Sequence, residues 1–375
     1  MYRVDGGVST LPGVWDKVNK CAETGGSLFR LIWVDLLVFL VPLGAFAQSS
    51  PSESSGVPEP TQENRSTVTL QASSALTRLR DCLARADRKC AIEAFSQLQN
   101  YRFKDDPEYL ELSAQVLSLE HNEAEALADI DRAIQMDPKQ ASYFVTRGRL
   151  FQKSHDQVHA IESFLQAAQL QPGWIEPVYS LGMSFFILGN EEDDNEYYDR
   201  AARHFNAALG LEPNSHKTEF MLGVVEAIED HLEKGKAHFE NALKMDPQNA
   251  YYHLEYGILL DRSGDDNEGL REMKIAETLD HSNPLIYSNI GRLEARRGNY
   301  AEARKHLETA VHLDSNLTAA YYSLGGVYHH LGLTELSQAA YKEFQLAKAR
   351  EQQKEPDPVE AALSRSDLGR ERAPK

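Results

Sequence analysis

Six carboxylates stand within nine residues from Glu191 to Asp199, in the stretch NEEDDNEYYDR. Clustered carboxylates are natural ligands of hard cations, but a calcium loop needs alternating oxygen ligands and a glycine at its sharp turn. This stretch has neither. Two histidine pairs offer softer ligands. His155 and His159 can meet on one helical face, whereas the adjacent His329 and His330 point in different directions on a helix. Both pairs lie next to repeat turns, where polar residues are the norm, and read as exposed side chains. No nucleophile motif, phosphate-cradling glycine loop or zinc pattern occurs in the chain. The sequence therefore predicts a protein that is not an enzyme, with no catalytic residues, no cofactor and no metal site.

Charge narrows the range of partners. With 57 acidic against 39 basic side chains, the formal net charge is −18, which disfavours nucleic acid and anionic lipid surfaces. The expected partner is a protein or peptide that is neutral, apolar or locally basic. Near the start, the apolar run Leu36 to Ala47 precedes a small-x-small site at Ala45-Phe46-Ala47. That is the pattern of a secretory signal. It is too short for a spanning helix of roughly 20 residues, and Asp35 and Arg30 interrupt it upstream. Residues 1–47 are read as a leader cleaved after Ala47, with no membrane insertion afterwards, which places the protein in a secreted or periplasmic location. The alternative is a membrane anchor formed by an uncleaved leader.

The positions of small residues reveal what must hold any site in place. Ala114, Gly148, Gly182, Gly223, Gly257, Gly291 and Gly325 are separated by 34, 34, 41, 34, 34 and 34 residues. A second ladder, Ala126, Ala160, Ala201, Gly235, Gly269, Ala303 and Ser337, has the same spacing and the same single break. Four residues after each second rung stands a larger apolar residue (Ile130, Phe164, Phe205, Phe239, Met273, Leu307, Tyr341), and three later usually Ala. That i, i+4, i+7 pattern is one helical face. Turns such as KSHD, RSGDDN and RRGNY separate the ladders, and Pro138, Pro172, Pro213 and Pro247 stop the second helix of four units. Each unit reads as helix, turn, helix, stop, with small residues where two antiparallel helices cross closely.

This pattern resembles the tetratricopeptide repeat family, whose unit of about 34 residues carries a small residue, an aromatic, Ala, an aromatic, Ala and Pro at fixed places. Gly148, Phe151, Ala160, Phe164, Ala167 and Pro172 supply all six in one unit. Seven clear units begin at Pro107, Ala141, Ile175, His216, Ala250, Pro284 and Thr318, and a degenerate one begins near Ala72. The resemblance implies an all-α, right-handed superhelical solenoid of about eight hairpins over residues 72–350. Leu79 and Phe344 depart from the pattern in the terminal units, which is expected of capping repeats. Residues 48–71 and 351–375 are rich in Ser, Pro and charge and read as disordered flanks. Cys82 and Cys90 fall at repeat positions eleven and nineteen of the first unit, on either side of its turn, and are expected to form a disulfide in an oxidising compartment.

The extra seven residues between Gly182 and Ala201 make almost two helical turns. They are expected to lengthen the second helix of that unit, with Tyr198 on the same stripe as Ala201 and Phe205. The resemblance also implies a concave groove, lined by five positions of each first helix, that binds peptides. Those positions give Tyr179, Met183, Phe186, Phe220, Val224, Leu254 and Ile258 as an exposed apolar strip flanked by Arg149, Arg262, Arg292 and Arg296. The Lys and Asn pairing with which some relatives clamp a terminal carboxylate is absent in that form. The function expected is a protein-interaction scaffold outside the cytoplasm. The alternatives are a self-associating homo-oligomer, whose groove takes its own tail, and an accessory subunit of a cell-envelope enzyme or export complex.

Overall fold

The computed structural model describes residues 62–98 and 106–351. The expected leader, most of the N-terminal linker and the C-terminal tail lie outside the described residues. Sixteen helices follow one another, with no strand among the described residues: α1 Gln62–Ala84, α2 Arg88–Leu98, α3 Pro107–Leu119, α4 Glu123–Met136, α5 Ala141–Lys153, α6 Gln157–Leu170, α7 Ile175–Glu192, α8 Asn195–Leu211, α9 His216–Ile228, α10 Leu232–Met245, α11 Ala250–Ser263, α12 Asp266–Leu279, α13 Pro284–Arg296, α14 Tyr300–Leu313, α15 Thr318–His330 and α16 Thr334–Glu351. They pair into eight hairpins, and each hairpin packs on the next. The molecule is an all-α solenoid. Helix α1 starts at Gln62, so residues 62–71, expected to be disordered linker, are helical instead.

Local sequence sets the helix ends. Asp106 caps α3 by accepting from the Glu108 amide with Pro107 in the first turn, and Asn283 caps α13 in the same way ahead of Pro284. Asp156 and Asn249 accept from amides in the first turns of α6 and α11. Such caps satisfy amides that have no partner within the helix. The turn inside each hairpin passes through a left-handed residue at one repeat position. It is His121, His155 or Asp230 in three hairpins and Gly264, Gly298 or Gly332 in three others. This is the usual helix C-terminal cap conformation.

The ladders mark where paired helices touch. A Cβ on Gly182 would lie 2.6 Å from Phe205 Cε1, and one on Gly223 would lie 2.9 Å from Phe239 Cδ1. Phe164, Phe205 and Phe239 are all buried. In the six hairpins from α5 to α16 the core therefore holds an aromatic or aliphatic knob from the second helix seated on the bare backbone of a glycine in the first. Cys82 and Cys90 are joined as a disulfide, with Cα atoms 5.5 Å apart, across the first hairpin, whose core also takes in Tyr109 and Leu112 of α3.

The insertion is shared between both helices of its hairpin. Helix α7 has 18 residues against 13 in α5, and α8 has 17 against 14 in α6. The expectation had placed the added length on the second helix alone. Asp193 takes the left-handed conformation at the tip, and Asp194 caps α8 by accepting from the Glu196 amide. Carboxylates suit that position because the helix N-terminus carries partial positive charge.

Candidate functional site

The face formed by the first helices was expected to expose an apolar strip, and the structure corrects that. Phe186, Phe220, Val224, Leu254 and Ile258 are each at most 4% exposed. Phe220 shows the reason. Its ring stacks on Tyr252 of the following first helix at 4.4 Å and packs against Phe239 of its own hairpin at 5.6 Å. Phe186 is likewise closed in by Tyr198, with ring centroids 6.1 Å apart. The Phe186 and Phe220 rings are taken up by these core contacts and are not free to grip a ligand. Tyr179 and Met183 are only partly buried against the same core. Tyr179 lies 5.4 Å from the Phe205 ring, and burial pushes its hydroxyl up to about 12.

The arginines are exposed but already engaged. Arg149 pairs with Glu176 of the next hairpin, and Arg262 Nη2 lies 3.5 Å from Asp230 Oδ1 of the preceding one. Arg292 and Arg296 both converge on Asp261, whose carboxylate is buried, and Arg296 also reaches Asp266 at 2.8 Å. Each of these pairs joins neighbouring hairpins. Further up the array, the same face is polar. Glu111 accepts from Ser142 Oγ at 3.2 Å and Thr146 Oγ1 at 3.0 Å, while burial raises its pKa.

Three expected groove residues do meet at one place. Val224, Ile258 and Arg262, with Ala227, Ile228, Phe239, Glu255 and Leu259, line a small open cleft of about 10 Å³ between α9, α10 and α11. Its lining is mostly apolar, Phe239 included, and Glu255 and Arg262 are the charged residues in it. A space of that size holds about one water, so the cleft is a shallow mark on the face and not a ligand pocket.

The other candidates separate. His159 Nδ1 sits 2.6 Å from Asp156 Oδ2 in a turn, and the His330 ring stacks on Tyr300 at 4.4 Å. The His329 and His330 rings lie 6.1 Å apart, edge to face, and neither histidine pair belongs to a group of three or more ligand atoms gathered within 4.8 Å among the described residues. Among the described residues, the one group whose ligand atoms lie within 4.8 Å of each other is Glu226, Glu229 and His231, outside the acidic run. Lys234 Nζ already stands 3.4 Å from Glu226 there. No helix among the described residues is long and apolar enough to cross a membrane.

One feature escaped the sequence reading. Met136, Leu170, Leu211, Met245 and Leu313 are 36–46% exposed and repeat at one position near the end of five of the eight second helices. The same 34-residue count that found the glycine ladder would have found this row.

Comparison with known proteins bears on the fold. A model of the TPR repeat matches residues 291–332, covering the second half of α13 and all of α14 and α15. This supports the tetratricopeptide repeat as the repeating unit. No curated protein matches the sequence. A tetratricopeptide repeat protein from Parabacteroides merdae is similar at 14% identity over 71% of this chain and 98% of its own, with a TM-score of 0.51. A chain of the APC/C hetero-tetramer Cut9-Hcn1 is similar at 15% identity over 80% of this chain and 57% of its own, with a TM-score of 0.55. At such identities the likeness concerns the fold alone.

Proposed function

We propose that this chain is a non-enzymatic scaffold that holds a peptide or protein segment against the face formed by its first helices, outside the cytoplasm. The supporting observation is the cleft between α9, α10 and α11, lined by Val224, Ile258 and Arg262. A bound segment would cross that shallow cleft and rest on the partly buried Met183 and Tyr179 along the face. Binding of this kind rests on a few anchoring side chains. The extracytoplasmic location is supported by the leader pattern that ends at Ala47.

The test is photo-crosslinking in the native cell. A photoreactive amino acid is placed in turn at Met183, at Arg262 and at the exposed Lys305 on the second-helix side of the array. The expected result is a discrete protein adduct from the first two positions and none from Lys305. No adduct from Met183 or Arg262, or the same adducts from all three, overturns the proposal.

A further inference from the structure

The turn that joins α14 to α15 carries a motif for which the first-helix face has no use. Asn316-Leu317-Thr318 is an Asn-X-Thr triplet, and Asn64-Arg65-Ser66 is a second acceptor triplet of the same kind. Such a triplet takes an N-linked glycan where it lies on a surface loop of an exported protein. Triplets of this form also arise by chance, so the fold around each decides what it can do.

The two surroundings differ. Asn64 lies in the first turn of α1, with its backbone already helical. Asn316 lies in an open turn, after α14 ends at Leu313 and before α15 begins at Thr318. Asp314 shapes that turn by accepting from the Asn316 amide at 2.8 Å, a local bond that suits Asp to turns. Asp137 and Asp280 accept in the same way from the Lys139 and Ser282 amides at 3.2 and 2.8 Å. Lys139, Gly173, Asn214, Gln248, Ser282 and Asn316 hold one repeat position in the six turns between hairpins from α4 to α15, and all six are exposed. The repeat therefore presents this position to solvent in every such turn. Only at Asn316 does the sequence complete the triplet. Asn214 is its counterpart without one, because Ser215 and His216 follow it. On the inner side, Leu317 packs against the core of α13 to α16 and anchors the turn. Asn316 Oδ1 accepts from Arg350 Nη1 at 3.1 Å, which engages the amide oxygen, whereas a glycan attaches through the amide nitrogen.

We propose that Asn316 is a site of N-linked glycosylation. The co-reactant is an oligosaccharide carried on a lipid pyrophosphate. Asn316 Nδ2 forms a bond to the anomeric carbon of the sugar, the bond from that carbon to the pyrophosphate oxygen breaks, and the lipid pyrophosphate leaves with the electron pair. One amide proton passes to a base of the transferase, and nothing is oxidised or reduced. The proposal rests on the extracytoplasmic location in the proposed function, because such donors serve exported chains. The glycan stands at the edge formed by the turns between hairpins, beside Leu313, which is 41% exposed.

Tandem mass spectrometry of the full chain recovered from its native cells tests the proposal, with fractionation of the same cells. Asn316→Gln, Thr318→Ala and Thr318→Ser variants are expressed there in parallel. The expected result is an added sugar mass located on Asn316, retained in Thr318→Ser, lost in Thr318→Ala and Asn316→Gln, and absent from Asn214 throughout. Unmodified Asn316 in protein recovered outside the cytoplasm overturns the proposal and leaves the location standing. Unmodified protein recovered in the cytoplasm overturns both. A sugar mass that persists in Thr318→Ala also overturns it, because the triplet is then not what the transferase reads.

Discussion

The ring of Tyr198 occupies the space in which a side chain on Gly189 would begin: a Cβ at Gly189 falls 2.8 Å from Tyr198 Cε1. Gly189 lies seven residues beyond Gly182 on α7, and Tyr198 seven before Phe205 on α8. Seven residues are nearly two turns, so both helices present the same faces again. The insertion is one further layer of the contact that the hairpins from α5 to α16 use, and its carboxylates sit at the tip beyond that layer.

The layer therefore predicts which part of the insertion matters for stability. Tyr198 is 2% exposed, and Tyr198→Ala should cost about 3–5 kcal/mol, as for other large buried side chains. Gly189→Val should cost about 1–3 kcal/mol through overpacking. Replacing Glu191 and Glu192 by Gln should stay within about 0.5 kcal/mol. Thermal melting of the three variants checks this order. A tip variant more damaging than Tyr198→Ala would mean that the carboxylates carry structure.

Phe186 and Phe220 lead to a second expectation. As groove residues they would tolerate Ser and lose only binding, whereas as inter-hairpin core each substitution should cost about 3–5 kcal/mol or more. The double variant is expected to melt far below the unsubstituted protein, with early loss of α7 to α11. Retention of the original melting point would return these rings to the ligand face.

How much could be read from the sequence follows from the same residues. Gly182 with Phe205 and Gly223 with Phe239 are contacts within one repeat, so their spacing recurs every unit and stands out in a single chain. The pairing of Phe220 with Tyr252 joins two repeats, and its effect depends on the size of the residue the next unit supplies. Where that neighbour is large the position is sealed, and at Tyr322, beyond whose hairpin no further unit lies among the described residues, it stays open. Periodicity identifies the position but not its cover. The cleft beside Ile258 is likewise a remainder of packing between α9 and α11, which no motif encodes.

The disulfide ties the hairpin at the start of the described array. Cys82 is fully buried, and only α3 continues the stack from α1 and α2. Closing so short a loop contributes about 2–3 kcal/mol in the chain-entropy account. Reduction, or Cys82→Ser with Cys90→Ser, should raise exchange rates across α1 and α2 while leaving α5 to α14 unchanged. A uniform change along the whole array would indicate that the hairpins unfold as one unit.

His253 gives the array a dependence on pH whose sign is fixed by its contacts. Nδ1 lies 2.7 Å from a Glu272 carboxylate oxygen and Nε2 lies 3.1 Å from the Pro247 carbonyl, so a doubly protonated ring donates to both. Burial works to lower the pKa of this imidazole, but the Glu272 and Pro247 hydrogen bonds and the Glu272 charge outweigh it, and the pKa is raised. A group with a raised folded pKa contributes stability that is fully present below its unfolded value, about 6.5 for histidine. That stability is lost as pH rises through the folded value. The protein should therefore lose melting temperature through this pair as pH rises above about 6.5, and His253→Gln should flatten that part of the profile. Melting curves at pH 5.5, 7.0 and 8.5 for both proteins decide the matter: parallel profiles would show that His253 is neutral in the folded array.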